Sequence, residues 1–78
     1  MKEFVETIVK GLVDDVDAVD ITEKTVEGED YDLIEVKVAK DDMGRVIGKE
    51  GRIAKAIRTI VRAIATKEGK SLKIEIVE

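Results

Sequence analysis

Two glycines, Gly48 and Gly51, lie three positions apart with only Lys49 and Glu50 between them. Because glycine has no side chain and tolerates positive φ, a backbone with two such residues can approach another chain closely. A long helical pattern starts directly after Gly51, and the unpaired N–H groups at a helix start favour an anion. These residues can therefore bind a phosphate-rich backbone, with Lys49 as a point charge. They also suit a plain helix–turn–helix corner whose glycines only cap and turn.

Two other phosphate-binding motifs do not fit this region, which we call the glycine loop (residues 48–51). A P-loop has four residues between its glycines, followed by Lys and then Ser or Thr. Gly44 and Gly48 have three residues between them, and Glu50 stands where the hydroxyl should be. A Rossmann fingerprint needs a strand that leads into the glycines, whereas a short helix is predicted here. Both motifs are therefore excluded.

The sequence predicts a short helix before the glycine loop and a long helix after it. Asp41 or Asp42 can cap the short helix, which stops at Gly48. Residues 52–67 have the helical period, and Gly69 fits the end of that helix. The short helix carries Met43, Val46 and Ile47, and the long helix has an apolar stripe of Ile53, Ile57, Ile60 and Ile64, widened by Ala56 and Val61.

The remainder of the chain predicts one more helix and three strands. Residues 3–13 have an apolar helical face made of Phe4, Val5, Ile8, Val9 and Leu12. Residues 18–26 and 31–38 have strand character, and the turn at 27–30 joins them into a hairpin. Residues 71–77 alternate apolar and polar side chains and form the last strand.

These elements come in the order helix, strand, strand, helix, helix, strand. A chain of 78 residues has room for one domain, residues 1–78. Helices segregated on one face of a small sheet make an α+β two-layer domain. Because the last strand arrives through a helical crossover, we expect a three-stranded mixed sheet with at least one parallel pair.

Charge is distributed unevenly along the chain, whose net charge is −4. The segment from Arg45 to Lys70 has eight Lys or Arg and two Glu, a net of +6, whereas the rest has six basic and sixteen acidic residues, a net of −10. Lys55, Arg58 and Arg62 lie opposite the apolar stripe of the long helix, with Arg52 at their edge. This basic face either attracts an anionic partner or is an ordinary solvated helix surface.

The sequence has no residue pattern typical of a catalytic or metal-binding site. The chain has no histidine or cysteine for nucleophilic or acid–base work, and therefore no disulfide. The aspartates of residues 14–20 are interpreted as a solvated turn, since the spacing of a calcium loop is absent. We therefore expect neither an enzyme nor a cofactor.

Targeting segments are not expected either. Met1 begins an amphipathic segment rather than a signal peptide. No apolar run approaches the roughly 18 residues of a membrane span. Together with the absence of cysteine, this composition suits a cytoplasmic protein.

The segment VIGKEGR, residues 46–52, within this order of helices and strands resembles the type II KH domain. The resemblance covers nearly the whole chain, and the motif is fairly specific when it lies between two helices. A free-standing KH domain of this length looks like the bacterial KhpA family of small RNA-binding proteins. The resemblance implies non-catalytic binding of single-stranded RNA by an RNA chaperone or post-transcriptional regulator.

The resemblance also implies which residues contact RNA, because a KH groove clamps the backbone of about four nucleotides with its Gly-x-x-Gly loop. The implied contacts are the loop itself (Gly48, Lys49, Glu50, Gly51), the basic residues Arg45, Arg52 and Lys55, and an apolar floor of Val46, Ile47 and Ile53. Glu50 opposes this charge pattern. Pointing outward it would cost little, whereas pointing at the strand it would weaken binding.

Aromatic residues are too few for a rival RNA-binding fold. RRM and OB modules stack bases on aromatic side chains. This chain has only Phe4, which we expect in the core, and Tyr31, which stands near a turn. A KH groove, which can rely on aliphatic and backbone contacts, therefore fits better.

The resemblance further implies a partner, either a second copy in a homodimer or a larger KH-containing protein of the Jag type in a heterodimer. A single-stranded DNA target is also physically allowed, since a backbone clamp need not read the 2′-OH. Two rival functions stay open. One is a protein-interaction module whose groove is weakened by Glu50, and the other is a ribosome-associated or RNA-processing factor that reads structured RNA by shape.

Overall fold

A three-stranded mixed sheet forms one layer of the chain, and all three helices cover one of its faces. The computed structural model describes all 78 residues. The strands are β1 (Asp20–Thr25), β2 (Asp32–Lys37) and β3 (Leu72–Val77), in the order β1-β2-β3. β1 is antiparallel to β2, and β3 is parallel to β2. The predicted hairpin, mixed sheet and parallel pair are confirmed.

The alternation of side chains sets which face of the sheet is buried. Ile34 and Val36 of β2 are fully buried, and they lie opposite Ile74 and Ile21 on the neighbouring strands. The other face is mostly polar, with Leu33 and Val77 as its apolar residues, and Lys24 and Glu35 approach there with 3.5 Å between Nζ and Oε2. One face of each strand therefore belongs to the core.

The helices are α1 (Lys2–Leu12), α2 (Met43–Ile47) and α3 (Arg52–Lys67). α1 buries Val5 and Val9, as predicted. The prediction that Phe4 lies in the core is wrong, because its side chain is 41% exposed. Phe4 precedes Val5 by one residue, about 100° around the helix, which places it at the edge of the buried face.

The buried face of α3 differs from the predicted isoleucine stripe. Its fully covered residues are Ala54, Ile57, Val61 and Ala65. The prediction is wrong for Ala56, which is exposed, and for Ile60, which is 47% exposed. Small alanines let the helix lie close to the sheet, so the face is centred on Ala54 and Ala65, and Ile60 lies on its flank.

The core joins the two layers. Its buried apolar residues come from all three helices and all three strands, and they include Val46 of α2. The glycine loop therefore sits at a corner whose two helices are both anchored to this core.

No helix combines the length and the apolar composition that crossing a membrane would require.

Candidate nucleic-acid interface

The backbone of the glycine loop turns through left-handed conformations. φ is +78° at Gly48, +59° at Glu50 and +74° at Gly51. A Cβ atom added to Gly48 would lie 2.6 Å from Cγ1 and 2.8 Å from Cβ of Ile53, which is closer than carbon atoms can approach. An added Cβ at Gly51 would meet nothing within 4 Å. Gly48 is thus required by packing and favoured by conformation, whereas Gly51 is favoured by conformation alone.

Two of the four loop amides hold the corner together. The N–H of Gly48 donates to the carbonyl of Gly44 at 2.9 Å and closes α2. The N–H of Gly51 donates to the carbonyl of Gly48 at 3.1 Å. An external anion cannot use these two donors, so only the amides of Lys49 and Glu50 remain as candidates within the loop.

The loop side chains point into solvent. Lys49 is exposed and forms no ion pair. Glu50 Oε2 lies 3.5 Å from Nη2 of Arg52, and both side chains are largely exposed. Such an exposed pair is weak and screened by salt. Glu50 therefore partly offsets the positive charge of Arg52 but does not hold the Arg52 side chain in one position.

The predicted apolar floor is only partly at the surface. Val46 is fully buried in the core, so its side chain cannot touch a base. Ile47 and Ile53 are partly buried, and Ile53 packs against the core while it meets Gly48 from the other side of the corner. Val46 supports the floor from beneath, and Ile47 and Ile53 are the residues that can form its surface.

Arg45 is engaged by two carboxylates of the same chain. Its Nη2 lies 2.9 Å from Oδ2 of Asp14, and its Nε lies 3.4 Å from Oδ1 of Asp42. The Arg45 side chain is about half exposed. A guanidinium held in this way must leave one of these carboxylates, or share it, before it can contact a phosphate.

Asp42 is the one buried charged residue of the chain. It stands at the N-cap position of α2, but the predicted cap is wrong because its side chain makes no bond to that helix's N–H groups. Its oxygens instead accept the backbone N–H groups of Asp14 at 3.2 Å and Asp15 at 3.1 Å. These partners are 27 and 28 residues away, so no local pattern predicts the contact.

The surface of α3 is basic, and no acidic residue of the helix offsets its positive charge, since the helix contains none. Lys55, Arg58 and Arg62, which we call the cationic stripe, are exposed and form no ion pair. No group of three or more carboxylates could hold a metal ion. The loop and the stripe thus form one cationic surface on an otherwise acidic protein.

Comparison with known proteins gives one consistent result. The family model for the KH domain of KhpA/KhpB matches residues 2–76. The chain is 54% identical to the RNA-binding protein KhpA of Clostridium acetobutylicum over 77 residues, which are 99% of this chain and 100% of the relative. It is 52% identical to the KhpA of Listeria monocytogenes over 100% of both chains, and 45% identical to that of Chlamydia trachomatis over 100% of this chain and 97% of the relative. No solved structure matches.

Proposed function

The chain belongs to the KhpA/KhpB family of KH domains, and from this premise we propose that it binds single-stranded RNA without catalysis, through the glycine loop. The observation that carries the proposal is the loop's position. A corner with three positive φ values opens directly into α3, a helix that has five basic residues and no acidic one. A polyanion is attracted to this surface and repelled by the rest of the chain.

The proposal gives each part of the loop a role, which the loop geometry supports. The amides of Lys49 and Glu50 contact a phosphate at close range, because the neighbouring glycines add no bulk. Lys49 and Arg52 supply the charge. Ile47 and Ile53 provide aliphatic contact for the bases, since the only two aromatic residues, Phe4 and Tyr31, belong to other segments of the chain.

One site of this size gives modest affinity and little sequence preference, because most of its contacts are to the backbone, which is the same in every sequence. That profile suits an RNA chaperone or a post-transcriptional regulator in the cytoplasm. It also suits action together with a partner, since two linked sites raise the effective affinity.

The test is a titration of labelled single-stranded RNA at two salt concentrations with a Lys49→Asp, Glu50→Asp double variant. The proposal predicts salt-sensitive binding by the unchanged protein and loss of that binding in the variant. For single strands, each lost phosphate contact lowers the slope of log affinity against log salt by about 0.7. Asp tolerates the left-handed backbone at position 50, so circular dichroism should stay native.

The chain itself offers a matched control. Lys2 and Glu3 are the same pair of residue types, exposed at the start of α1. The variant Lys2→Asp, Glu3→Asp makes the same change of charge outside the site and should bind RNA almost unchanged. Equal binding by the loop variant and the unchanged protein would show that the glycine loop does not clamp RNA. Binding by neither, with capture of a protein partner, would favour the interaction module, and preference for a folded RNA would favour the accessory factor.

We also propose that the partner is a second copy of this chain, so that the protein forms a homodimer. Ile60 is the most exposed large apolar residue, and Ala56 and Ala63 lie one turn to either side of it. Small neighbours of this kind let two helices approach closely. Light scattering should give a dimer mass that Ile60→Lys reduces to the monomer. A monomer at every concentration would exclude the homodimer and leave the heterodimer with a larger KH protein.

A further inference from the structure

A second basic site lies at the end of α3 that is distant from the glycine loop. A cavity of about 250 Å³ opens there between the last turns of α3, the start of β3 and the turn between β1 and β2. Besides Tyr31 and Leu72, its lining has three cations and two aliphatic hydroxyls against one carboxylate: Arg62, Lys70, Lys73, Thr66, Ser71 and Asp30. This composition suits an anion that can accept several hydrogen bonds.

The cations of this cavity are available to a ligand. None of the three forms an ion pair, and the single carboxylate of the lining, Asp30, forms none either. The ammonium of Lys73 lies 4.2 Å from the centroid of the Tyr31 ring, which also lines the cavity. A cation over an aromatic face is held in place without losing its charge. The cavity therefore has a net positive charge and one positioned ammonium group.

A continuous basic surface connects the cavity to the glycine loop. Lys55, Thr59, Arg62 and Thr66 follow one another at intervals of four, three and four residues, so they share one face of α3. A shallow hollow on this face is lined by Thr59, Arg62, Ala63 and Thr66, and Arg62 and Thr66 also line the cavity. Ten residues separate Arg52 from Arg62, which is about 15 Å along a helix. No carboxylate of α3 interrupts the path.

We propose that the cavity holds a backbone phosphate of the same RNA strand, beyond the nucleotides that the glycine loop clamps. This proposal rests on the proposed function, and it extends the contacted length of RNA past the groove of about four nucleotides that a KH domain provides. Lys55 and Arg62 guide the strand along α3, and Lys70 and Lys73 bind the phosphate at its end. The affinity for RNA should therefore keep increasing as the strand becomes longer than the nucleotides that the glycine loop clamps.

The experiment compares two RNA lengths, about four nucleotides, which fill one KH groove, and about twelve. The cavity variant is Arg62→Gln, Lys70→Gln. The control Lys2→Gln, Lys37→Gln removes the same charge at exposed, unpaired positions outside the cavity. The cavity variant should bind the long strand about tenfold more weakly than the control and bind the short strand equally well. Amide chemical shifts in an NMR titration keep weak binding of the short strand measurable.

Each result decides the proposal. If the loop variant loses RNA while the cavity variant matches the control on the long strand, the clamp stands and the extension is wrong. If the loop variant binds both lengths like the unchanged protein, the clamp itself is wrong and the extension fails with it. A separate titration with inorganic phosphate identifies the source of the anion. Saturation of the Lys70 and Ser71 amide shifts by phosphate, without response to the long strand, would assign the cavity to a small free anion and overturn the proposal.

Discussion

The two sides of the glycine loop have similar residues in opposite situations. On the α2 side, Gly48 is packed against Ile53, and Arg45 is engaged by two carboxylates. On the α3 side, Gly51 faces open space, and the cationic stripe forms no ion pair. Glycines and basic residues occur on both sides, so residue type alone does not distinguish them.

The difference lies in what surrounds each residue. The α2 side fixes the corner to the body of the protein, through Gly48, Val46 and the buried carboxylate of Asp42. The α3 side leaves amides and cations in solvent, where an anionic strand can reach them. We infer that the first side positions the loop and the second side binds, and substitutions on the two sides should separate stability from affinity.

The largest difference is expected between the two glycines. Gly48→Ala should lower the free energy of unfolding by about 3 kcal/mol, because the new methyl group collides with Ile53 and the backbone conformation excludes it. Gly51→Ala should lower it by about 1 kcal/mol, since only the left-handed backbone opposes it. Urea denaturation followed by circular dichroism measures both. Equal losses would mean that the two glycines do not differ in packing.

Asp42→Asn should have the next largest effect, a loss of about 2 kcal/mol in unfolding free energy. The amide that replaces one carboxylate oxygen is a donor facing another donor, the backbone N–H of Asp14 or Asp15, and the charge that holds Arg45 is lost. Asp41→Asn is the matched control, because Asp41 is the exposed neighbour of Asp42 and makes no such contact. RNA affinity of the folded variant should stay close to normal. A loss of RNA affinity with unchanged stability would mean that Asp42 acts in RNA binding rather than in folding.

Arg45 and Lys55 should respond in opposite ways to the same substitution. Arg45→Gln should lower stability by about 0.5 kcal/mol, a small value because the pair is half exposed, and should change RNA affinity little. Lys55→Gln should leave stability unchanged and weaken RNA binding about threefold. Denaturation and fluorescence anisotropy on the same samples give both quantities. If Arg45→Gln weakens binding more than Lys55→Gln does, Arg45 leaves its carboxylates to contact RNA.

The smallest effect is expected at Glu50. Glu50→Gln should strengthen RNA binding about twofold, because Arg52 loses its competing carboxylate while the backbone stays the same. Glu50→Gly makes the same change of charge and also relieves the left-handed backbone, so it should add up to about 1 kcal/mol of stability. Anisotropy and denaturation separate the two contributions. Unchanged affinity in both variants would mean that Glu50 does not face the strand.

The sequence predicts the fold almost completely and the site only in part. The bounds of α3, Arg52–Lys67, match the prediction at both ends, because glycines mark each end of the helical pattern. The alternation along β2 and β3 likewise identifies the buried Ile34 and Ile74. Both features depend on neighbours within a few residues, which is the range over which a sequence pattern is informative.

Long-range contacts are what the sequence does not predict. The sequence predicts Asp41 or Asp42 as the cap of α2, but Asp42 binds the backbone after α1, and only the folded chain brings those segments together. The isoleucine stripe predicts Ile60 on the buried face of α3, but Ala54 and Ala65 allow closer packing and leave Ile60 at the flank. The cavity at Lys70 combines residues from three separate segments, and no spacing within one segment indicates it.

The most direct test of RNA binding at the glycine loop is an NMR titration of the isotope-labelled protein with single-stranded RNA. The largest amide shifts are expected at Lys49, Glu50 and Gly51 and along the Lys55 face of α3, while α1 and β1 stay unchanged. Largest shifts on α1 or β1, with none in the loop, would contradict RNA binding at the loop.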